Sequence, residues 1–183
     1  MIYLYGDPHL GHHNILRLAN RPFKSVLEMN EALIANYNNM ISPADEVYFV
    51  GDVAYKCSTA IVLDILDRLK GKKYLIQGNH DRKYLKDDRF VKKFEWVDKR
   101  IEMVYSKRLY VIDHYPIHSW NGMFRGSANL HGHCHGKVNN DNIMRLDVGV
   151  DNPICSYAPI SMERVKNIMD EKWRIIRDKD IKE

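Results

Sequence analysis

Tyr74-Leu75-Ile76-Gln77-Gly78-Asn79-His80-Asp81 is the stretch on which the reading of the whole chain turns. Three apolar residues make a short buried strand. The run then breaks on a glycine followed by amide, imidazole and carboxylate groups. The same design occurs twice upstream. Met1 to Tyr5 is apolar and aromatic and stops at Gly6-Asp7-Pro8-His9, and Val47, Phe49 and Val50 mark a strand that stops at Gly51-Asp52. Between them, Ser25 to Ile41 has a helical pattern. Ser25 and Glu28 form a capping box, and Leu27, Ala32, Leu33, Ala35 and Met40 supply an apolar face. Thr59 to Leu69 repeats the helical period through Ile61, Val62, Ile65, Leu66 and Leu69. The first half therefore reads β-α-β-α-β, with a polar cluster after each strand. In α/β folds, the loops beyond the carboxyl ends of parallel strands are where ligands bind.

The second half changes character. Ile101 to Tyr105 and Leu109 to Asp113 flank Ser106-Lys107-Arg108 and predict a hairpin. Short strands are expected at Asn129 to His131 and Met144 to Val148. Ser161 caps a predicted helix through Met169, and Trp173 to Ile176 reads as a final edge strand. The pattern predicts two sheets packed face to face with helices outside. No repeat or Pro/Ser-rich linker interrupts it, so residues 1–183 read as a single domain without a large cap.

Composition sets the outer bounds. The chain's 183 residues suffice for one domain with a good core. A hydrophobic fraction of 45% excludes disorder of the whole chain. The net charge of +4 suits an anionic substrate without requiring one. Three cysteines with no close pair argue against a disulfide framework and for a reducing, cytoplasmic compartment. No apolar run approaches the roughly 20 residues of a membrane span. The start, MIYLYGDPHLGHH, has no basic region before an apolar stretch, so no signal peptide is expected.

Nine histidines stand out, because they fall in three groups beside Gly, Asp or Asn. Five clusters carry the chemistry: Asp7-Pro8-His9, Gly51-Asp52, Gly78-Asn79-His80-Asp81, Asp113-His114 and Gly132-His133-Cys134-His135. Alone, each is weak, since Gly-Asp is common turn chemistry and Asn-His-Asp can simply cap a helix. Together they offer oxygen and imidazole donors, a mixture that suits Mn, Fe, Zn or Co better than a thiolate site would. If Asp7/His9 and His133/His135 lie in strands, alternation aims each pair in one direction.

This order of motifs resembles the calcineurin-like metallophosphoesterase family over about Met1 to Asn152. The matching strings are D-x-H, G-D, G-N-H-D, a single His after an apolar strand, and G-H-x-H. Gly11-His12-His13-Asn14-Ile15, His114-Tyr115-Pro116 and Val148-Gly149-Val150-Asp151 look like its small bacterial and phage branch. The resemblance implies a four-layer α-β-β-α sandwich of two mixed sheets. It implies that Asp7, His9 and His135 hold one metal, that Asn79, His114 and His133 hold the second, and that Asp52 bridges both. It further implies that His80 is the catalytic histidine and Asp81 the acid that orients it. The cofactors implied are two divalent ions (Mn, Fe, Zn, Ni or Co, with Mn expected first). The activity implied is P–O ester hydrolysis by a metal-bridging hydroxide, with a phosphodiester favoured because an alkoxide leaving group benefits from an acid. The alternatives are a phosphomonoesterase (nucleotidase or protein phosphatase) and a non-catalytic scaffold. The substrate expected is a phosphate ester, with nucleotide and nucleic acid both open. Pro8 departs from the family, since it stiffens the loop and removes an N–H from its middle.

The remaining residues have plainer readings beside sharper ones. His12 is balanced between a site role and helix packing, and His13 leans to the latter. His118 reads equally as pocket wall or surface loop, and His131 as core or a supporting contact. Tyr55, Trp120, Met123 and Phe124 could stack on a base, but packing over loops is favoured. Cys134 is expected to turn into the core. Arg82 to Arg108 holds ten basic and five acidic residues, a mixture that favours solvated surface over a nucleic-acid patch. The apolar strands of the second half fit a homodimer edge or a core equally well.

Overall fold

Each of the first three strands sends alternate side chains into two different cores. A computed structural model describes residues 1–138 and 143–180. The elements begin with β1 (Ile2–Tyr5), α1 (Ile15–Leu18), α2 (Val26–Met40), β2 (Glu46–Val50), α3 (Thr59–Arg68), β3 (Lys72–Ile76) and α4 (Asp88–Val91). They continue through β4 (Val97–Asp98), β5 (Arg100–Tyr105), β6 (Arg108–Asp113), β7 (Ala128–His131), β8 (Arg145–Asp147), β9 (Ile160–Ser161) and α5 (Met162–Asp180). Tyr3, Tyr5, Val47, Phe49 and Leu75 enter the core shared with α2 and α3. Leu4, Tyr48, Val50 and Ile76 point the other way, into the core that also holds Tyr110, Ile112, Leu130 and Leu146 of the second sheet. A period of two buried on both faces marks an inner strand of a layered fold.

The first sheet has the order β4-β3-β2-β1-β9, with β9 antiparallel to β1 at its edge and the other neighbours parallel. The second has the order β5-β6-β7-β8, in which only the β5/β6 hairpin is antiparallel. That hairpin turns on Ser106 (φ 47°) and Lys107 (φ 68°), two left-handed residues as a tight two-residue turn demands. The two sheets meet where Gly6 pairs with Gly149. A Cβ on Gly6 would lie 3.2 Å from the Gly149 backbone, so a side chain here would press the two backbones apart. The fold is thus the expected pair of mixed sheets with flanking helices.

Two local readings are corrected. The buried face of α2 is Met29, Asn30, Leu33, Ile34 and Tyr37, whereas Leu27 and Met40 are exposed. Apolar residues occur on both sides of this helix, and the side bearing the bulky Met29, Leu33 and Tyr37 faces the sheet. Trp173 to Ile176 is not a strand but part of α5, which Ser161 starts by accepting a hydrogen bond from Arg164 N at 3.2 Å. Met162, Val165, Met169, Trp173 and Ile176 recur at helical spacing along one face, and all join the inter-sheet core. α5 meets Tyr105, Arg108 and Arg145, at the end of the second sheet opposite the polar clusters. No helix among the described residues is long and apolar enough to cross a membrane.

Candidate metal centre

Every cluster singled out in the sequence lies at or just beyond the carboxyl end of a strand that has a parallel neighbour. Asp7 and His9 follow β1, Asp52 follows β2, Asn79 to Asp81 follow β3, His114 follows β6, and His133 and His135 follow β7. The expectation that alternation within a strand aims the pairs is corrected. Asp7 (φ 52°), His9 (φ 50°), His133 (φ 66°) and His135 (φ 50°) lie past the strands in the left-handed region, as does Asp52 (φ 53°). Non-glycine residues avoid this region, and their concentration here is strain held by the surroundings. Parallel-type bonds hold the first loop, Asp7 N to Gly51 O at 3.1 Å and His9 N to Asp52 O at 3.1 Å. Pro8 stands between these donors, so its missing N–H removes no bond of this ladder.

The side chains converge on two sets. Asp7, His9 and His135 form one, and Asp52, His114 and His133 the other; within each, the potential ligand atoms all lie within 4.8 Å of one another. Asn79 Oδ1 adds to the second set, 3.1 Å from His114 Nε2. Asp52 stands between the sets. Its Oδ2 is 3.6 Å from His9 Nε2, 3.5 Å from His114 Nε2 and 3.8 Å from His80 Nε2. Its Oδ1 accepts a hydrogen bond from His80 N at 2.8 Å.

These residues fit divalent ions on their own evidence. Asp7 Oδ1 and both ring nitrogens of His9 are buried without a hydrogen-bond partner among the described residues, a costly state that a bound cation would relieve. His114 Nδ1 lies 3.0 Å from the Val50 carbonyl. A proton on that nitrogen leaves Nε2 as a lone pair facing two oxygens, which is the donor set of a cation. Burial pushes the Asp7 carboxyl well above its ordinary value, helped by the Asp147 and Asp52 charges. Burial also pushes His9 well down, and His114 and His133 down. A bound cation would reverse the Asp7 effect, and the neutral imidazoles would be available as its ligands.

The supporting contacts include residues that sequence reasoning missed. His135 Nδ1 is 2.7 Å from Asp151 Oδ2, which fixes the ring and leaves Nε2 for the centre. Arg21 donates to both Asp151 oxygens at 2.8 Å, and to the carbonyls of Pro8 and Asp7, also at 2.8 Å. One buried guanidinium therefore clamps the Asp7-Pro8-His9 loop to the acid behind His135. Burial opposes ionisation of Asp151, but its hydrogen bonds to His135 and Arg21 hold its pKa below the ordinary value. Asp151 lies in a string that suggested the small branch of the family; Arg21 has no sequence signal, because its partner is 130 positions away. Arg21→Met is expected to cost about 3–5 kcal/mol, as for a broken buried ion pair, read as a lower urea midpoint for unfolding.

Asp81, the acid expected to orient His80, makes its hydrogen bonds elsewhere among the described residues: Asp52 N, Gly78 N and Val53 N donate to its two oxygens at 2.8–2.9 Å. Burial pushes its carboxyl up to about 7, against these donors. Its work is to tie the Gly51-Asp52 loop to the Gly78-Asn79 loop. His80 instead has its ring against Tyr55, with centroids 3.8 Å apart. Its side chain keeps 30% of its exposure, beside the buried Asp52.

The ambiguous residues now have places. His12 is buried, with its ring edge-on to Tyr55, and burial followed by the charge of His80 lowers its pKa to about 4. His13 and His118 are exposed. His131 is buried, with Nδ1 2.7 Å from Gly132 O. Trp120 is core and donates to Ser127 O, whereas Phe124 is 91% exposed. Cys134 is half-buried rather than core, because it lies in the loop between His133 and His135 and not in a strand.

Glycine makes room for the carboxylates. A Cβ on Gly132 would stand 2.3 Å from Asp7 Oδ2, the oxygen that accepts from His133 N at 2.8 Å. Gly132→Ala is therefore expected to turn Asp7 away. We expect a loss of metal affinity of about 10–100-fold, as for a lost outer hydrogen bond. Competition with a chromogenic chelator measures it, with circular dichroism confirming the fold.

Residues 1–176 match the model of the calcineurin-like phosphoesterase family. The uncharacterized protein MJ1445 of Methanocaldococcus jannaschii is 32% identical over 181 residues, covering 96% of this chain and 94% of that protein. Among solved structures, the protein of unknown function AQ665 from Aquifex aeolicus superposes with a TM-score of 0.72 at 23% identity, covering 92% of this chain and 98% of that one. This likeness shows a shared fold.

Proposed function

This chain belongs to the calcineurin-like phosphoesterase family, and we propose that it hydrolyses phosphodiesters at a centre of two divalent ions, with Mn²⁺ the first candidate. One observation carries the two-ion reading. Asp52 Oδ2 lies between His9 Nε2 of one ligand set and His114 Nε2 of the other, 3.6 and 3.5 Å away. In this reading Asp7, His9 and His135 hold one ion, Asn79, His114 and His133 the second, and Asp52 both. Bound ions would supply Lewis acidity and lower the pKa of a water nucleophile. The chain's own residues do the rest. The rigid loops fix the ligand atoms, and Arg21, Asp151 and Asp81 hold those loops. His80, partly exposed beside Asp52, is assigned the proton donated to the leaving oxygen.

The test combines elemental analysis with turnover of bis(4-nitrophenyl) phosphate and of 4-nitrophenyl phosphate. About two ions per chain and faster hydrolysis of the diester with Mn²⁺ are expected. Faster monoester hydrolysis would turn the assignment to a phosphomonoesterase. Metal-replete protein that cleaves neither ester would remove the enzymatic reading.

A further inference from the structure

A cationic pocket beside Asn79 has no part in the roles assigned so far. Arg82, Lys99, Arg100, Asp113 and Tyr115 line a cavity of about 440 Å³ whose wall also includes Gly78 and Asn79. Tyr115 Oη is 3.4 Å from Asn79 Oδ1, itself 3.1 Å from His114 Nε2. The pocket therefore opens directly beside the candidate metal centre.

Part of the basic run from Arg82 to Arg108 is engaged away from this pocket. Arg89 pairs with Asp87, Lys93 with Asp67 and Arg108 with Asp170, while Lys83 Nζ donates to Cys57 O. The side chains of Arg82 and Lys99 make no hydrogen bond or ion pair among the described residues, yet both face this pocket. Arg100 is fixed, since its Nε donates to Asp113 Oδ2 at 2.7 Å, and Asp113 Oδ1 accepts from Tyr115 N at 2.8 Å. One largely buried carboxylate thus positions a guanidinium and the Tyr115 backbone together. The charged side chains lining the pocket leave a net +2. Two unpaired cations and one anchored guanidinium around a small cavity suit a tetrahedral dianion.

We propose that this pocket binds a second phosphate of the substrate, next to the one that is cleaved. The proposal rests on the phosphodiesterase reading and names its substrate class: diesters that carry another phosphate, whether in an oligonucleotide or in a small bisphosphorylated molecule.

The experiment compares thymidylyl-thymidine with the same dinucleotide bearing a terminal 5′- or 3′-phosphate. The native protein is expected to favour one phosphorylated form by at least about tenfold in kcat/KM, a difference that charge-assisted contacts readily supply. In the Arg82→Gln/Lys99→Gln variant this ratio should fall towards one. An abasic diester with the same second phosphate separates the sources. A preference kept without the base identifies a small molecule; one confined to the dinucleotide identifies an oligonucleotide. Equal rates for all three dinucleotides, or a ratio unchanged in the variant, would overturn the proposal. Turnover of bis(4-nitrophenyl) phosphate, run in parallel, reports separately on the parent reading. If that reading failed, calorimetry with adenosine 3′,5′-bisphosphate against adenosine 5′-monophosphate would still test the pocket. Equal affinities there would sink it, and a preference lost in the variant would support it.

Discussion

Asp52→Asn is expected to remove diester turnover by about 10³-fold or more, the equivalent of several kcal/mol of Lewis-acid stabilisation, and to bring bound metal down to one ion or none. The substitution is isosteric, so the Oδ1 bond from His80 N can survive. What changes is the atom at Oδ2. An amide there would point N–H donors at His9 Nε2 and His114 Nε2, now 3.6 and 3.5 Å away. Ring nitrogens proposed as ligands would become hydrogen-bond acceptors. The same change removes a negative charge that helps raise the Asp7 pKa. The metal-free Asp52→Asn variant should therefore be at least as resistant to heat as metal-free native protein. That pairing separates a ligand from a structural carboxylate, whose loss would lower stability. Retention of two ions and of activity would refute the bridging assignment.

How much of this is legible in the sequence depends on how local the signal is. Strand–glycine–polar junctions such as Ile76-Gln77-Gly78-Asn79 announce themselves within eight residues, and all of them lie at the carboxyl ends of strands. The hairpin at Ser106-Lys107 is similarly local. The α2 face is misread because both sides of that helix carry apolar residues, and only the tertiary contact chooses between them. Trp173 to Ile176 is misread because four bulky residues look like a strand until the longer period from Met162 is counted. The candidate ligands converge on two sets, but strand alternation is not what aims them. Their direction comes from left-handed backbone at Asp7, His9, His133 and His135, which no alternation rule supplies. Arg21 is invisible because its role is set by Asp151, far along the chain, and by the carbonyls of Asp7 and Pro8.

The largest expected effect that leaves the metals in place belongs to His80. His80→Ala should lower kcat by about 10²–10⁴-fold, the usual contribution of a positioned acid, while elemental analysis finds the native metal content. Two features of the loop predict that separation. The bond from residue 80 to Asp52 Oδ1 uses the backbone N–H, which alanine keeps. Asp81, which ties the neighbouring loops, acts through Gly78, Asp52 and Val53 and not through the imidazole. The ring itself, partly exposed and lying against Tyr55, has little else to support. If it donates a proton, the loss must depend on the leaving group. A 4-nitrophenolate departs without protonation, whereas an alkoxide needs it. The variant should thus be impaired far more on an alkyl diester than on bis(4-nitrophenyl) phosphate. An equal loss on both would reassign His80 to binding the phosphate, and normal turnover would remove it from the reaction.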